Sequence, residues 1–106
     1  MYKFVILDYF KRQLKRFLRT DRALMENIIE VLRNFRKDHA VSLGKKIYKV
    51  RIGKEYGGKS GGYRLILVVK EFEKLLVPVC IYVKSERENI SMDEIAWHLE
   101  RMMGGL

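Results

Sequence analysis

Lys49 and Arg51 stand two residues apart in an alternating stretch, Ile47-Tyr48-Lys49-Val50-Arg51-Ile52. That spacing puts both cations on one face of a strand. A glycine-rich run follows, with Gly57, Gly58, Gly61 and Gly62 around Lys59, and Arg64 comes just after it. Tyr82 and Lys84 share parity at the end of a later apolar run, and Lys45 and Lys46 precede the first stretch. Clustered lysine and arginine suit a polyanion, because each phosphate contact releases condensed counterions. The glycines either admit a phosphate chain close to the backbone or supply the positive φ of a turn. If the strands are neighbours, Lys49, Arg51, Lys59, Arg64 and Lys84 converge on one concave surface.

The charge distribution supports that focus. The chain has 106 residues, with 22 Lys and Arg against 13 Asp and Glu, a formal net charge of +9. Residues 1–43 hold 10 basic and 5 acidic side chains, and residues 71–106 hold 4 and 7. Residues 44–70 hold 8 basic side chains and a single acid, Glu55. Such a segment points to nucleic acid; a merely solvated surface and an acidic protein partner are the competing uses.

One literal motif is misleading. Gly53-Lys54-Glu55-Tyr56-Gly57-Gly58-Lys59-Ser60 fits the G-x-x-x-x-G-K-[ST] pattern of a phosphate loop. That loop works only where a helix starts at the Lys-Ser and aims its N–H groups at the phosphates. Here Gly61, Gly62 and the strand-like Tyr63-Arg64-Leu65-Ile66-Leu67 follow, so no nucleotide site is expected.

The elements that must carry these residues are legible from periodicity. Tyr2 to Leu7 is a short apolar first strand. Phe10, Leu14, Phe17 and Leu18 recur on one helical face, with Lys11, Arg12, Lys15, Arg16 and Arg19 opposite. Thr20 or Asp21 is placed to cap a second helix, striped by Leu24, Ile28, Val31, Leu32 and Phe35. Strands are expected over Lys45–Ile52, Tyr63–Lys70 and Leu75–Lys84, the last at an edge or bulged because of Pro78. Ser91 and Glu94 form a capping box ahead of a final helix with Ile95, Leu99 and Met102 inward. The expectation is one α+β domain over residues 1–106, ordered β-α-α-β-β-β-α, with a helical hairpin on a small, mainly antiparallel sheet.

Composition narrows the class. Hydrophobic residues make up 48%, which excludes a disordered chain. Cys80 is the single cysteine, so no disulfide framework is possible and a reducing cytoplasm is the expected compartment. The longest apolar run, Leu75 to Val83, is far short of a membrane span, and basic residues interrupt any N-terminal signal core. Neither a metal nor a cofactor is expected. His39, His98, Trp97 and Cys80 read as structural or solvated residues.

The stretches Ile47-Tyr48-Lys49-Val50-Arg51, Gly58-Lys59-Ser60-Gly61-Gly62-Tyr63-Arg64-Leu65 and Ile81-Tyr82-Val83-Lys84-Ser85-Glu86-Arg87-Glu88-Asn89 resemble the RelE/HigB-like toxins of toxin–antitoxin systems. The resemblance spans nearly the whole chain. It implies a RelE-like fold and a metal-independent endoribonuclease that cleaves messenger RNA, usually on the ribosome, and so inhibits translation. It also implies a cognate antitoxin wrapped around the toxin. Carried over residue by residue, it marks Lys49, Arg51, Arg64 and Lys84 as the catalytic cations. Two positions depart from the pattern. Ser85 replaces an arginine, and Ser91 stands where some members have a base-stacking tyrosine.

Such cleavage needs a base for the 2′-OH, positive charge on the transition state and an acid for the leaving oxygen. Crowded cations favour a neutral lysine, which makes Lys49 the expected base. Arg64 would stabilise the transition state, Lys84 or Tyr82 would supply the proton, and Lys45, Lys46, Lys59 and Tyr82 would hold RNA. Two alternatives keep the same fold: a gyrase-poisoning ParE-like toxin, and a decayed toxin that only binds nucleic acid or antitoxin.

Overall fold

The computed structural model describes residues 1–53 and 62–104; Glu55, Lys59 and most of the glycine run lie outside the described residues. Strand β1 (Lys3–Phe4) leads into helices α1 (Asp8–Leu18) and α2 (Leu24–Arg33). After a 3-10 turn over Lys37–His39 come β2 (Val41–Gly44), β3 (Ile47–Ile52), β4 (Tyr63–Lys70), β5 (Leu75–Val83) and α3 (Met92–Gly104). The sheet order is β1-β5-β4-β3-β2. β1 runs parallel to β5, and every other pairing is antiparallel.

The α+β architecture and the helical hairpin agree with the sequence reading, with two differences. The first strand is only two residues long, and β2 was not anticipated. β2 is polar and largely exposed, so no alternating apolar signal marks it. It pairs with β3 through a two-residue turn made of Lys45 and Lys46, both at positive φ (54° and 66°). Hairpins favour that turn because its twist matches the strands, but it ordinarily takes Asn or Gly.

Period-two alternation divides the core between the two faces of the sheet. Leu65, Leu67 and Val69 of β4 meet Phe10, Leu14 and Phe17 of α1 and Leu24, Ile28 and Leu32 of α2. Ile66 and Val68 point the other way, to a second cluster with Ile95, Leu99 and Met102 of α3. Asp21 caps neither helix with its side chain. It is buried in the turn between α1 and α2, where its Oδ2 accepts a hydrogen bond from the Tyr63 hydroxyl at 2.9 Å. The Phe17 ring packs edge-on against Tyr63, and burial raises the tyrosine's pKa.

β5 is an interior strand paired with both β1 and β4, so the edge position considered for Pro78 is wrong and the bulge is right. The register slips between Ile66, opposite Cys80, and Leu67, opposite Pro78, leaving Val79 as the extra residue. Val79 and Cys80 consequently both face the second cluster. The Leu76 carbonyl accepts a bond from the Val5 N–H, so alternation turns the missing Pro78 N–H toward the same edge, beyond the last β1 pairing. There Gln13 of α1 replaces a strand. Its Nε2 donates to the Val79 carbonyl at 2.9 Å, and its Oε1 accepts from the Ile81 N–H at 3.3 Å.

Gln13→Ala removes both bonds and leaves two backbone groups unpaired. Urea unfolding is expected to show a loss of about 1–3 kcal/mol; a loss within error would contradict this role for Gln13.

Candidate nucleic-acid interface

α3 covers only part of the second sheet face. Its apolar side shares one buried cluster with Ile47, Ile66, Val77, Val79 and Cys80, which Tyr82 closes at one end. The uncovered half carries the cations, and register brings them together. Arg51 lies opposite Arg64, and Arg64 lies opposite Tyr82, so the three form one row across β3, β4 and β5. At ordinary strand spacing that row is about 10 Å wide. Lys49 stands one step along β3 on the same face, opposite Ile66. Lys84 follows β5, held at the row's end by its N–H donating to the Gly62 carbonyl at 3.0 Å. Gly62 itself adopts φ 60°, a conformation that favours glycine where the chain enters β4.

Placing arginine opposite arginine costs stability, since like charges on paired strands repel by about 0.2–1 kcal/mol. Arg64 is half-buried and donates to its neighbour's carbonyl, Tyr63 O, at 3.2 Å. The Tyr63–Asp21 bond anchors that same residue from the opposite face. Tyr82 is 5% exposed, and its hydroxyl is buried with no hydrogen-bond partner among the described residues. Burial raises its pKa, so the phenol keeps its proton at neutral pH. The Arg87 guanidinium lies over its ring at 5.5 Å.

The segment between β5 and α3 supplies groups that sequence reasoning missed. Glu88 forms an ion pair with Lys84. That bond lowers the Glu88 pKa first, with Arg64 and Lys49 adding to it through space. One carboxylate thus lies in the field of three of the candidate cations. Lys49 Nζ donates to Asn89 Oδ1 at 3.5 Å. Arg87 forks onto Glu94 at 2.9 and 2.6 Å and donates to the Asn89 carbonyl at 3.2 Å. The Lys84–Glu88 spacing of four residues was the available signal. The Arg87–Glu94 link was hidden because Glu94 reads as half of a capping box. Ser91 Oγ does accept the Glu94 N–H at 3.1 Å, while the Glu94 carboxylate turns to Arg87 instead.

Lys49, Arg51, Arg64, Tyr82 and Lys84 are therefore gathered on one half-face. Lys45 and Lys46 are not with them; they occupy the turn at the opposite end of β3. Lys59 lies outside the described residues. His39 is exposed in the 3-10 turn, and His98 bonds the Tyr9 hydroxyl through Nδ1 at 2.7 Å, with its pKa lowered mainly by burial. Burial pushes the Cys80 thiol up to about 12, which makes it an inert core residue. Among the described residues no group of three or more His, Cys, Asp or Glu could hold a metal, and no helix is long and apolar enough to cross a membrane.

Two measurements check this geometry. Tyr82→Phe deletes a buried hydroxyl that has no described partner, so it is expected to leave thermal stability unchanged or raised; a clear loss would mean the hydroxyl is bonded. Glu88 and Glu94 both have lowered pKa values, so their bonds favour the folded loop above the ordinary glutamate value of 4.5 and are lost as pH falls through the lower folded values. An NMR titration downward from neutral pH is expected to move the amides of residues 85–91 at that point while those of β4 stay still. Simultaneous movement of both would contradict the link.

Comparison with known proteins gives the family. The family described as the RelE toxin of the RelE/RelB toxin–antitoxin system matches residues 7–103. No curated protein matches the chain. Among solved structures, the E. coli toxin RelE carrying two arginine-to-alanine substitutions, in the free state, is similar at a TM-score of 0.54 and 17% identity, over 95% of this chain and 97% of that one. The isolated E. coli RelE toxin is similar at a TM-score of 0.49 and 18% identity, over 95% and 98%. The sequence match runs from Leu7, just ahead of α1, to the last turn of α3, and by it the chain belongs to the RelE toxin family.

Proposed function

We propose that this RelE-family toxin is an endoribonuclease that cuts messenger RNA with the ribosome as scaffold, in the cytoplasm, and is neutralised by a cognate antitoxin. The observation that carries the reading is the convergence of Lys49, Arg51, Arg64 and Lys84 on the half-face that α3 leaves open. A phosphodiester laid across that row meets Arg51 of β3 and Arg64 of β4, with Lys49 one step along β3 and Lys84 just past the end of β5. Arg64 in its centre offers a fixed fork of donors to the non-bridging oxygens as charge develops on them. Lys49, one step away on β3, is the group to take the 2′-OH proton. Lys84, or the protonated phenol of Tyr82, is the group to return a proton to the leaving 5′-oxygen. Bond making and breaking then balance: the 2′-oxygen attacks phosphorus, the 5′-oxygen leaves, and a cyclic phosphate remains on the upstream fragment.

Glu88 has a place in this scheme. Its carboxylate already pairs with Lys84, so a phosphate reaching that lysine would have to displace it. Its side chain is 79% exposed, so displacing it costs little. Glu88→Gln is expected to tighten RNA binding about two- to fivefold. Weaker binding would show instead that Glu88 helps to position the lysine.

The direct test is primer extension on a defined mRNA in a reconstituted translation system, with and without ribosomes. Wild type is expected to cut only when ribosomes are present, and Arg64→Ala to cut about a thousandfold less while melting normally. Full activity in Arg64→Ala, or no cutting by wild type under either condition, would overturn the proposal.

A further inference from the structure

Three cations are answered from the segment after β5, and not all by the same chemistry. Lys84 pairs with the Glu88 carboxylate, and Arg87 forks onto the Glu94 carboxylate. Lys49 instead meets a neutral amide, Asn89 Oδ1, at 3.5 Å. The backbone of Asn89 carries the structural part. Its carbonyl accepts from Arg87 Nε at 3.2 Å, and Arg87 is fixed in turn by Glu94 and by the Tyr82 ring. The Asn89 side chain is exposed and makes one hydrogen bond among the described residues, the one to Lys49. Lys49 itself is half-buried. The charged groups around it are Arg51 on its own strand, Arg64 on β4, and Lys84 and Glu88 after β5, while β2 sets the uncharged Val41 beside it.

We propose that Asn89 is a positioning residue: its amide oxygen aims the Lys49 amine at the 2′-OH and leaves that amine free to lose its proton. The proposal rests on Lys49 being the base of the cleavage put forward above. A base must offer a lone pair when the 2′-oxygen attacks. A carboxylate in place of the amide would hold the side chain as the ammonium ion, because an opposite charge within about 4–6 Å favours the charged form. An amide oxygen carries no net charge and accepts from –NH3+ and –NH2 alike. One N–H of the neutral amine stays on Oδ1, which turns the lone pair away from the loop and toward the row. That lone pair takes the 2′-OH proton, the 2′-oxygen attacks phosphorus, and the ammonium so formed keeps its bond to Oδ1. At 3.5 Å the bond is long, so it steers the amine without tying it down. The division of labour is then chemical: carboxylates answer Lys84 and Arg87, which act as cations, and an amide answers the lysine that must become neutral.

The test uses the full chain, in single-turnover cleavage of a defined ribosome-bound mRNA from about pH 6 to about pH 9. NMR of the lysine-labelled protein without RNA runs beside it. Asn89→Ala is expected to lower the maximal rate about tenfold, with the half-saturating toxin concentration within about twofold and no alkaline movement of the pH profile. Asn89→Asp keeps the shape and adds the charge. It is expected to cut about tenfold more slowly at neutral pH, with its profile moved about one pH unit alkaline and the wild-type rate regained at the top. The Lys49 ε-methylene signal, identified by its loss in Lys49→Arg, should shift in Asn89→Ala and titrate about one pH unit higher in Asn89→Asp, with the Lys46 signal unmoved. Both Asn89 variants should melt as wild type does, since the exposed side chain supports nothing else. A wild-type rate in Asn89→Ala would overturn the inference. So would an Asn89→Asp rate lowered equally at every pH, which would make Asn89 a substrate contact or a support for the loop. An unmoved Lys49 signal in Asn89→Ala would overturn it without reference to cleavage. A wild type that cuts nothing would remove the cleavage reading and this role with it, whereas a wild type that cuts beside an equally active Asn89→Ala removes this role alone.

Discussion

The alternation of β4 is the constraint on which the rest of the molecule depends. It is the central strand, paired on both sides, and it sends Leu65, Leu67 and Val69 to one face and Ile66 and Val68 to the other. Both faces of such a strand must be covered. α1 and α2 cover the first face, but α3 alone cannot cover the second. Arg64 falls where that cover ends, and its neighbours in register are Arg51 and Tyr82. Of that row Arg51 is exposed and Arg64 half-buried, while Tyr82 is buried in the second cluster.

That row opposes folding through repulsion between its own members, and the surrounding structure compensates. Tyr63 is fixed from the helical side by Asp21 and Phe17, which sets the first residues of β4. Gln13 holds the bulge of β5 from the edge that β1 does not reach. The loop after β5 answers the cations with Glu88 and Asn89, and Arg87 ties that loop to α3 through Glu94. Bulge, buried tyrosine–carboxylate bond and loop thus act on one object, the end of the β4–β5 pair where the cations meet.

Much of this was legible in the sequence, because it rests on local period. The stripes of α1 and α2 and the span of β4 follow from apolar spacing, and Lys49, Arg51, Arg64 and Lys84 share a face because strands alternate. What was not legible depends on contacts between distant residues. β2 has no apolar pattern and exists because β3 offers it an edge. Asp21 looks like a helix cap until Tyr63 arrives from 42 residues away. Gln13 is an unremarkable polar residue on a helix until β5 needs a partner. Lys45 and Lys46 adjoin the site in sequence, yet the strand between them and Arg51 carries them to its far end.

The central claim is that the half-face left open by α3 is where RNA lies. It is tested most directly by NMR of the isotope-labelled chain titrated with a short 2′-O-methyl RNA. The account predicts that the largest amide and side-chain shifts fall on Lys49, Arg51, Arg64, Tyr82, Lys84 and Glu88, with α2 and the Lys45–Lys46 turn unmoved. Shifts centred on that turn or on α2, with Arg64 and Tyr82 unmoved, would contradict it.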